Sequence, residues 1–179
     1  MMNLTVLGDV ELGVTSRDEL IAQIKSAPIT KTLENGSLVL SGLLRTAVTP
    51  KNIRVWGGEL KDIGLHPLVS LSELIPCVEM HGFFLFENEI AVSILKLPKL
   101  PEFFKVRGLE RLVVIGRASH CKVSGVMNGN PVLLCLKLED GEVVLDYTVM
   151  PPVRLDLEKR SIVPGWDCKM GIILAKQLN

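Results

Sequence analysis

The sequence predicts an α+β fold in a single domain over residues 1–179, a largely antiparallel β-sheet with two or three short helices packed on it. Three observations carry this prediction. Most apolar residues fall in short runs that alternate with polar residues or are unbroken, and Gly, Pro, Asn or Asp bounds them, which is the pattern of strands. Only two stretches combine a 3.6-residue apolar period with helix start and stop signals. Apolar residues make up 47% of the chain but aromatics only 4%, so the core is built from Leu, Val and Ile, and 179 residues are enough to bury one.

Taken in order, residues 3–14 alternate as a strand, with Leu4 and Val6 on one side, Val10, Leu12 and Val14 continuing it, and Gly8 as a candidate bulge. Residues 16–26 form the clearest helix. Ser16 and Glu19 make a capping box, Asp18 and Glu19 sit at the positive end of the dipole, and Leu20, Ile21 and Ile24 form a narrow stripe that covers the sheet. Pro28 stops the run. Asn35-Gly36 is a turn and 38–44 a buried strand. Residues 49–52 turn, 53–56 form a short strand, Gly57-Gly58 break it, and 59–65 read as a mobile polar surface loop. Pro67 opens a second helix over 68–75, with Leu68, Leu71, Leu74 and Ile75 on one face, and Pro76 closes it. Residues 78–86 read as strand, 87–89 as a polar break and 90–95 as strand again. Prolines then make 97–104 irregular, with room for one helical turn after Pro101.

Short strands follow at 112–115 and 121–126. Asp140-Gly141 is a strong type I′ hairpin signal. With those two residues as the turn, Leu138 faces Val143, Leu136 faces Leu145, Leu134 faces Tyr147 and Val132 faces Val149, all on one side of the ribbon. Pro151-Pro152 ends it. Val153, Leu155 and Leu157 alternate as one more strand, and Pro164-Gly165-Trp166 turns the chain. Residues 170–178 suit strand or helix, with Ile172-Ile173 tipping them to strand. The octets 33–40 and 138–145 look alike because both carry hairpin-turn chemistry.

The 20 basic and 20 acidic residues cancel. That balance argues against whole-molecule attraction to nucleic acid or anionic lipid and leaves little repulsion against self-association. No apolar run approaches the roughly 20 residues of a membrane span, and the first residues have neither the basic region nor the apolar core of a signal peptide. The chain is therefore expected to be neither secreted nor membrane-spanning, and Cys77, Cys121, Cys135 and Cys168 to be free thiols in a reducing compartment. His66, His81 and His120 have no partner at a catalytic or ligand spacing. His120 and Cys121 are strand neighbours and point to opposite faces. A small enzyme using Cys121 or His81 is the enzymatic alternative. Glu87 and Glu89 share a face, as do Asp9 and Glu11, and both pairs read as solvated. Gly57-Gly58 follow a strand but open no helix, so no phosphate loop is present. No catalytic residue, cofactor, metal or small-molecule substrate is expected. Lys96, Lys99, Lys105 and Arg107 surround Phe103 and Phe104, which reads as lysines rimming a proline-rich loop, with a membrane surface or single-stranded nucleic acid as the alternative.

An opening strand (Leu4 to Val14), a capped helix (Ser16 to Ser26), an apolar strand ending in Leu43-Leu44 before Thr49-Pro50, then Pro101-Glu102-Phe103-Phe104 and the ribbon 143–149 follow one another in this order. That layout resembles a rhabdovirus matrix protein of the short plant-virus kind, over about two thirds of the chain, in element order and without a signature motif. The chain departs from that family in its zero net charge and in lacking a proline-based budding motif at Ser26-Ala27-Pro28 and at Pro151-Pro152-Val153-Arg154. The resemblance implies a non-enzymatic viral structural protein of virion and host cytoplasm, which self-associates and bridges the nucleocapsid to the membrane or envelope. The physical basis would be exposed apolar residues between 83 and 104: Phe83, Phe84, Phe86, Leu100, Phe103 and Phe104, with Lys99 and Lys105, as self-association or membrane contacts. A reading from a different class is a bacterial or phage accessory domain that binds one protein partner through a sheet edge.

Overall fold

A computed structural model describes residues 3–26, 44, 46–66, 69, 71–87, 89–114, 116–117, 121–122, 131–149, 155–156, 161–162 and 169–178. In chain order the elements are β1 (Thr5–Leu12), α1 (Arg17–Ser26), β2 (Lys51–Gly58), α2 (Leu71–Met80), β3 (Phe86–Glu87), α3 (Ile90–Ser93), α4 (Leu100–Arg107), β4 (Arg111–Val114), β5 (Gly116–Arg117), β6 (Cys121–Lys122), β7 (Pro131–Glu139), β8 (Glu142–Val149), β9 (Leu155–Asp156), β10 (Ser161–Ile162) and β11 (Met170–Gln177). Single 3-10 turns lie at Leu60–Ile63 and Ile94–Lys96.

The main sheet runs β1-β2-β11-β4-β7, with β8 along the far edge of β7 and β6 beside β7 past the end of β4. Within this sheet every pair is antiparallel except β11 with β4, and β3 pairs in parallel with β5 apart from it. The fold is thus α+β and sheet-dominated, and the sheet is mixed. Its central strands are buried on both faces, which explains why Leu112-Val113-Val114 and residues 170–175 read as unbroken apolar runs. On one face Leu7, Ile53, Val55, Leu112, Leu136 and Ile173 pack against α1, α3 and α4. On the other, Val113, Cys135, Ile172 and Leu174 pack against Leu60, Ile63, Phe83 and the Leu74 and Val78 pair of α2.

Three readings hold closely. The β7–β8 register pairs Leu138 with Val143, Leu136 with Leu145, Leu134 with Tyr147 and Val132 with Val149. Its turn has φ of 51° at Asp140 and 87° at Gly141, as a type I′ turn requires. The α1 capping box is formed: the Ser16 N–H donates to Glu19 Oε2 at 2.9 Å, and the Glu19 N–H donates to Ser16 Oγ at 3.3 Å. Residues 170–177 are strand.

Other expectations are corrected. Among the described residues there are four helices, the shortest of them Ile90–Ser93. The β1 bulge falls between Val6 and Gly8 and turns the strand over, so Leu7 is buried with Leu12 while Val6 is exposed and Leu4 packs beside Trp56 on the opposite face. Gly57 and Gly58 do not break β2; they are its last rungs, and a Cβ there would meet Phe103 and Leu4. Residues 59–65 are not a mobile loop, because Leu60 and Ile63 are buried and Glu59 and Asp62 cap the turn between them. Pro76 lies inside α2 with its ring exposed. Burial of Leu74 and Val78 one turn apart carries the helix past the missing donor. Residues 78–80 therefore finish a helix, and 90–96 are helical because Ile90, Ala91, Val92 and Ile94 are all buried. The Asn35-Gly36 turn, 38–43 of the strand after it, His120, residues 123–126, Val153, Leu157 and Pro164-Gly165-Trp166 lie outside the described residues. Among the described residues no helix is long and apolar enough to cross a membrane.

Candidate functional site

The prolines that make 97–104 look irregular in sequence instead launch α4. Pro101 occupies the first turn, where its missing N–H costs nothing, and Gly108 closes the helix at φ 64° with its N–H on the Phe104 and Lys105 carbonyls. Leu100, Phe103 and Phe104 anchor the helix to the sheet. Gly57 allows this approach: a Cβ there would lie 2.7 Å from the Phe103 ring. Lys99, Glu102, Phe103 and Val106, spaced 3, 4 and 7 apart, then share one helix face. That face looks along Thr5 and Leu7, alternate residues of the edge strand β1. Together with Arg107 they enclose a groove of about 260 Å³. Among the described residues β1 pairs only with β2.

Arg107 locks the closed end. Its Nη2 donates to the Asn3 carbonyl at 2.6 Å and to Thr5 Oγ1 at 3.4 Å, and its Nη1 donates to Asp62 Oδ2 at 3.2 Å with Glu59 at 3.8 Å. The guanidinium also sits 5.8 Å from the Phe103 ring centre. Its charge is committed to tying β1, α4 and the Leu60–Ile63 turn together. Val106 is 76% exposed on the open side.

The residues expected to mediate self-association are not gathered on the surface. Phe83, Leu100, Phe103 and Phe104 are core side chains, so the premise that they are exposed loop residues is corrected. Phe83 stacks edge-on against Trp56 at 5.4 Å and carries the Lys176 ammonium at 4.5 Å. Phe84 is exposed, Lys99 and Lys105 are exposed on α4, and the Phe86 side chain lies outside the described residues. With Phe103 and Phe104 inside, no aromatic of α4 is left to stack on bases or enter a bilayer.

Glu89, which the sequence predicts to be solvated, is instead buried, 2% exposed. Its Oε1 accepts the Gly13 N–H at 2.5 Å and its Oε2 the Ala47 N–H at 3.1 Å, so one carboxylate ties the turn after β1 to the segment before β2. Burial raises its pKa, the two N–H groups lower it, neighbouring Glu87 raises it and Lys51 lowers it; the net direction is up. Glu87 pairs with Lys51 at 3.5 Å. The sequence clue to Glu89 is its place directly before the buried run 90–92. The clue to the groove is the face from Lys99 to Val106, hidden by the two prolines before it.

Histidine and thiol chemistry is scattered. His81 follows α2, where its Nε2 meets the Ile63 carbonyl at 3.3 Å, and Cys77 Sγ approaches the same oxygen at 3.7 Å. Burial pushes the thiols of Cys77 and Cys135 up, away from the reactive thiolate. The Cys121 and Cys168 side chains lie outside the described residues. Among the described residues no three metal-ligating side chains converge. No family model, curated protein or solved structure matches this chain.

Proposed function

We propose that this chain is a non-enzymatic protein-binding module that takes an extended segment of a protein partner onto the β1 edge, beside α4. The single observation that carries the reading is the groove itself. Its walls are the edge strand and a helix face, so a strand added to β1 gains main-chain hydrogen bonds while every second side chain falls between strand and helix. Edge strands left uncovered are templates for such pairing. Phe83, Phe103 and Phe104, which motivated matrix-type assembly, lie inside the domain, so among the described residues that reading keeps Phe84, Lys99 and Lys105 as exposed contacts.

The test has two parts. Peptides from a displayed random library are selected on the full chain and counter-selected on Val106→Glu, which charges the groove wall at an exposed position. Edge-dependent clones are expected, and binding indifferent to Val106→Glu would refute the site. Sedimentation over about a hundredfold concentration range, at low and high salt, is expected to give one species. Reversible growth into large particles would favour a second copy on the edge and the matrix-type role.

A further inference from the structure

We propose that Cys77, Met80 and His81, at the C-terminal end of α2, form a site for a soft cation, copper(I), on the sheet face opposite α4 and independent of the groove. Cys77 and His81 lie four residues apart, so they are neighbours on one side of the helix. Their tips converge. Cys77 Sγ donates to the Ile63 carbonyl at 3.7 Å, and His81 Nε2 meets the same oxygen at 3.3 Å. Two donor atoms that reach one common atom are close enough for one ion to bridge. Met80 is three residues from Cys77 and flanks it on the solvent side, 77% exposed. Its flexible thioether can swing onto a bound ion.

The backbone is fixed on both sides of the site. The His81 N–H donates to the Cys77 carbonyl at 3.2 Å and carries the helical ladder to His81; Gly82 at φ 71° and the buried Phe83 then end the helix. Across from it Ile63 is buried, and Gly64 closes the Leu60–Ile63 turn at φ 77°. The donor set selects the ion. Among the described residues no three His, Cys, Asp or Glu side chains converge, so zinc(II) would lack the ligands of a tetrahedral site. Calcium and magnesium, which need several oxygens, find the Ile63 carbonyl alone between the two side chains. A thiol, a thioether and an imidazole are the soft donors that suit copper(I), which is satisfied by few ligands. On binding, copper(I) bonds to the Cys77 sulfur, the S–H bond breaks and its proton leaves to water. The proton that His81 Nε2 shares with the Ile63 carbonyl moves to Nδ1 through water, which frees Nε2 as a ligand. Neither change alters an oxidation state.

The full chain carrying Cys121→Ser and Cys168→Ser, reduced and kept free of oxygen, is titrated with copper(I) against the chelator bathocuproine disulfonate. One ion per chain is expected, with X-ray absorption showing sulfur and imidazole nitrogen around it. Affinity is expected to fall by at least about a hundredfold on adding Cys77→Ser, and by about tenfold on adding His81→Gln or Met80→Leu. No uptake, or uptake unchanged by Cys77→Ser, overturns the site. Uptake lost in Cys77→Ser but untouched by both His81→Gln and Met80→Leu overturns it in favour of a single thiol. Zinc(II) displacing copper(I) at equal concentration overturns the choice of metal. Serine and glutamine keep a donor for the Ile63 carbonyl, and matching thermal melts without metal show that no variant acts through unfolding. The X-ray absorption reads the ligands without relying on any ligand variant.

Discussion

Replacing Gly57 by alanine tests how closely α4 is seated on the edge of the sheet. Gly57 is not in the left-handed region, so the change is steric and not a matter of backbone strain. The new Cβ would lie 2.7 Å from both Cε1 and Cζ of Phe103 and 3.1 Å from a Leu7 methyl. Reaching ordinary contact at 3.4 Å requires the ring to retreat by at least roughly 0.7 Å. The ring is 5% exposed and holds Arg107 on its face, so α4 must move with it. Overpacking of this kind costs about 1–3 kcal/mol. Alanine returns about 0.5–1 kcal/mol by restricting the unfolded chain. The net expectation is a loss of about 1–2 kcal/mol, or a Tm lower by about 2–8 °C for a chain of this size. Urea unfolding followed by tryptophan fluorescence measures it, with Trp56 in the packed layer as reporter. Phe103→Leu shortens the ring and should offset part of the loss, giving a favourable coupling of about 1 kcal/mol in the double mutant. Gly64→Ala is the control: φ is 77° and nothing lies within 4 Å, so its cost is backbone strain that Phe103→Leu leaves unchanged. A Gly57→Ala protein as stable as the wild type, or strictly additive with Phe103→Leu, would refute the seating.

Glu89→Ala leaves the Gly13 and Ala47 donors without their acceptor and should cost about 2–4 kcal/mol in urea unfolding. Because the Glu89 carboxyl titrates above its ordinary 4.5, the folded chain holds this proton to higher pH than the unfolded chain. Its contribution is fully present below 4.5 and is lost as pH rises through the raised value. Stability relative to Glu89→Gln should therefore grow as the pH is lowered from neutrality towards 4.5, and parallel pH profiles would contradict this. Gly141→Val, at φ 87° in the hairpin turn, should cost about 1–2 kcal/mol, measured the same way. In native thiol labelling, Cys135 should react only on unfolding and Cys77 slowly, and rapid modification of Cys135 would contradict its burial.

Where local chemistry decides, the structure could be read from the residues. The Ser16–Glu19 box and the Asp140-Gly141 turn each fix their element through contacts a few residues apart, and the hairpin register followed to the residue. Where long-range packing decides, the reading failed. Pro76 is tolerated inside α2 because Leu74 and Val78 bury against the sheet, and Gly57-Gly58 stay in β2 because Phe103 and Leu4 need the space above them. The run 90–95 is too short and too uniformly apolar for its periodicity to separate strand from buried helix. The groove was illegible for the same reason: it needs the contact between α4 and β1, residues about a hundred positions apart. Lys99 and Lys105 were singled out as surface contacts, while Thr5, Leu7 and Val106 were not.

The central claim is that the β1 edge beside α4 receives an extended segment of a partner protein. Backbone amide exchange of the full chain, read residue by residue with and without the tightest selected peptide, tests it most directly. The account predicts slowed exchange at outward-facing amides within residues 5–7, shifts along the α4 face at Phe103 and Val106, and loss of both in Val106→Glu. Protection confined to β8 at the opposite edge of the sheet, or to the surface around Phe84, with β1 unchanged, would contradict it.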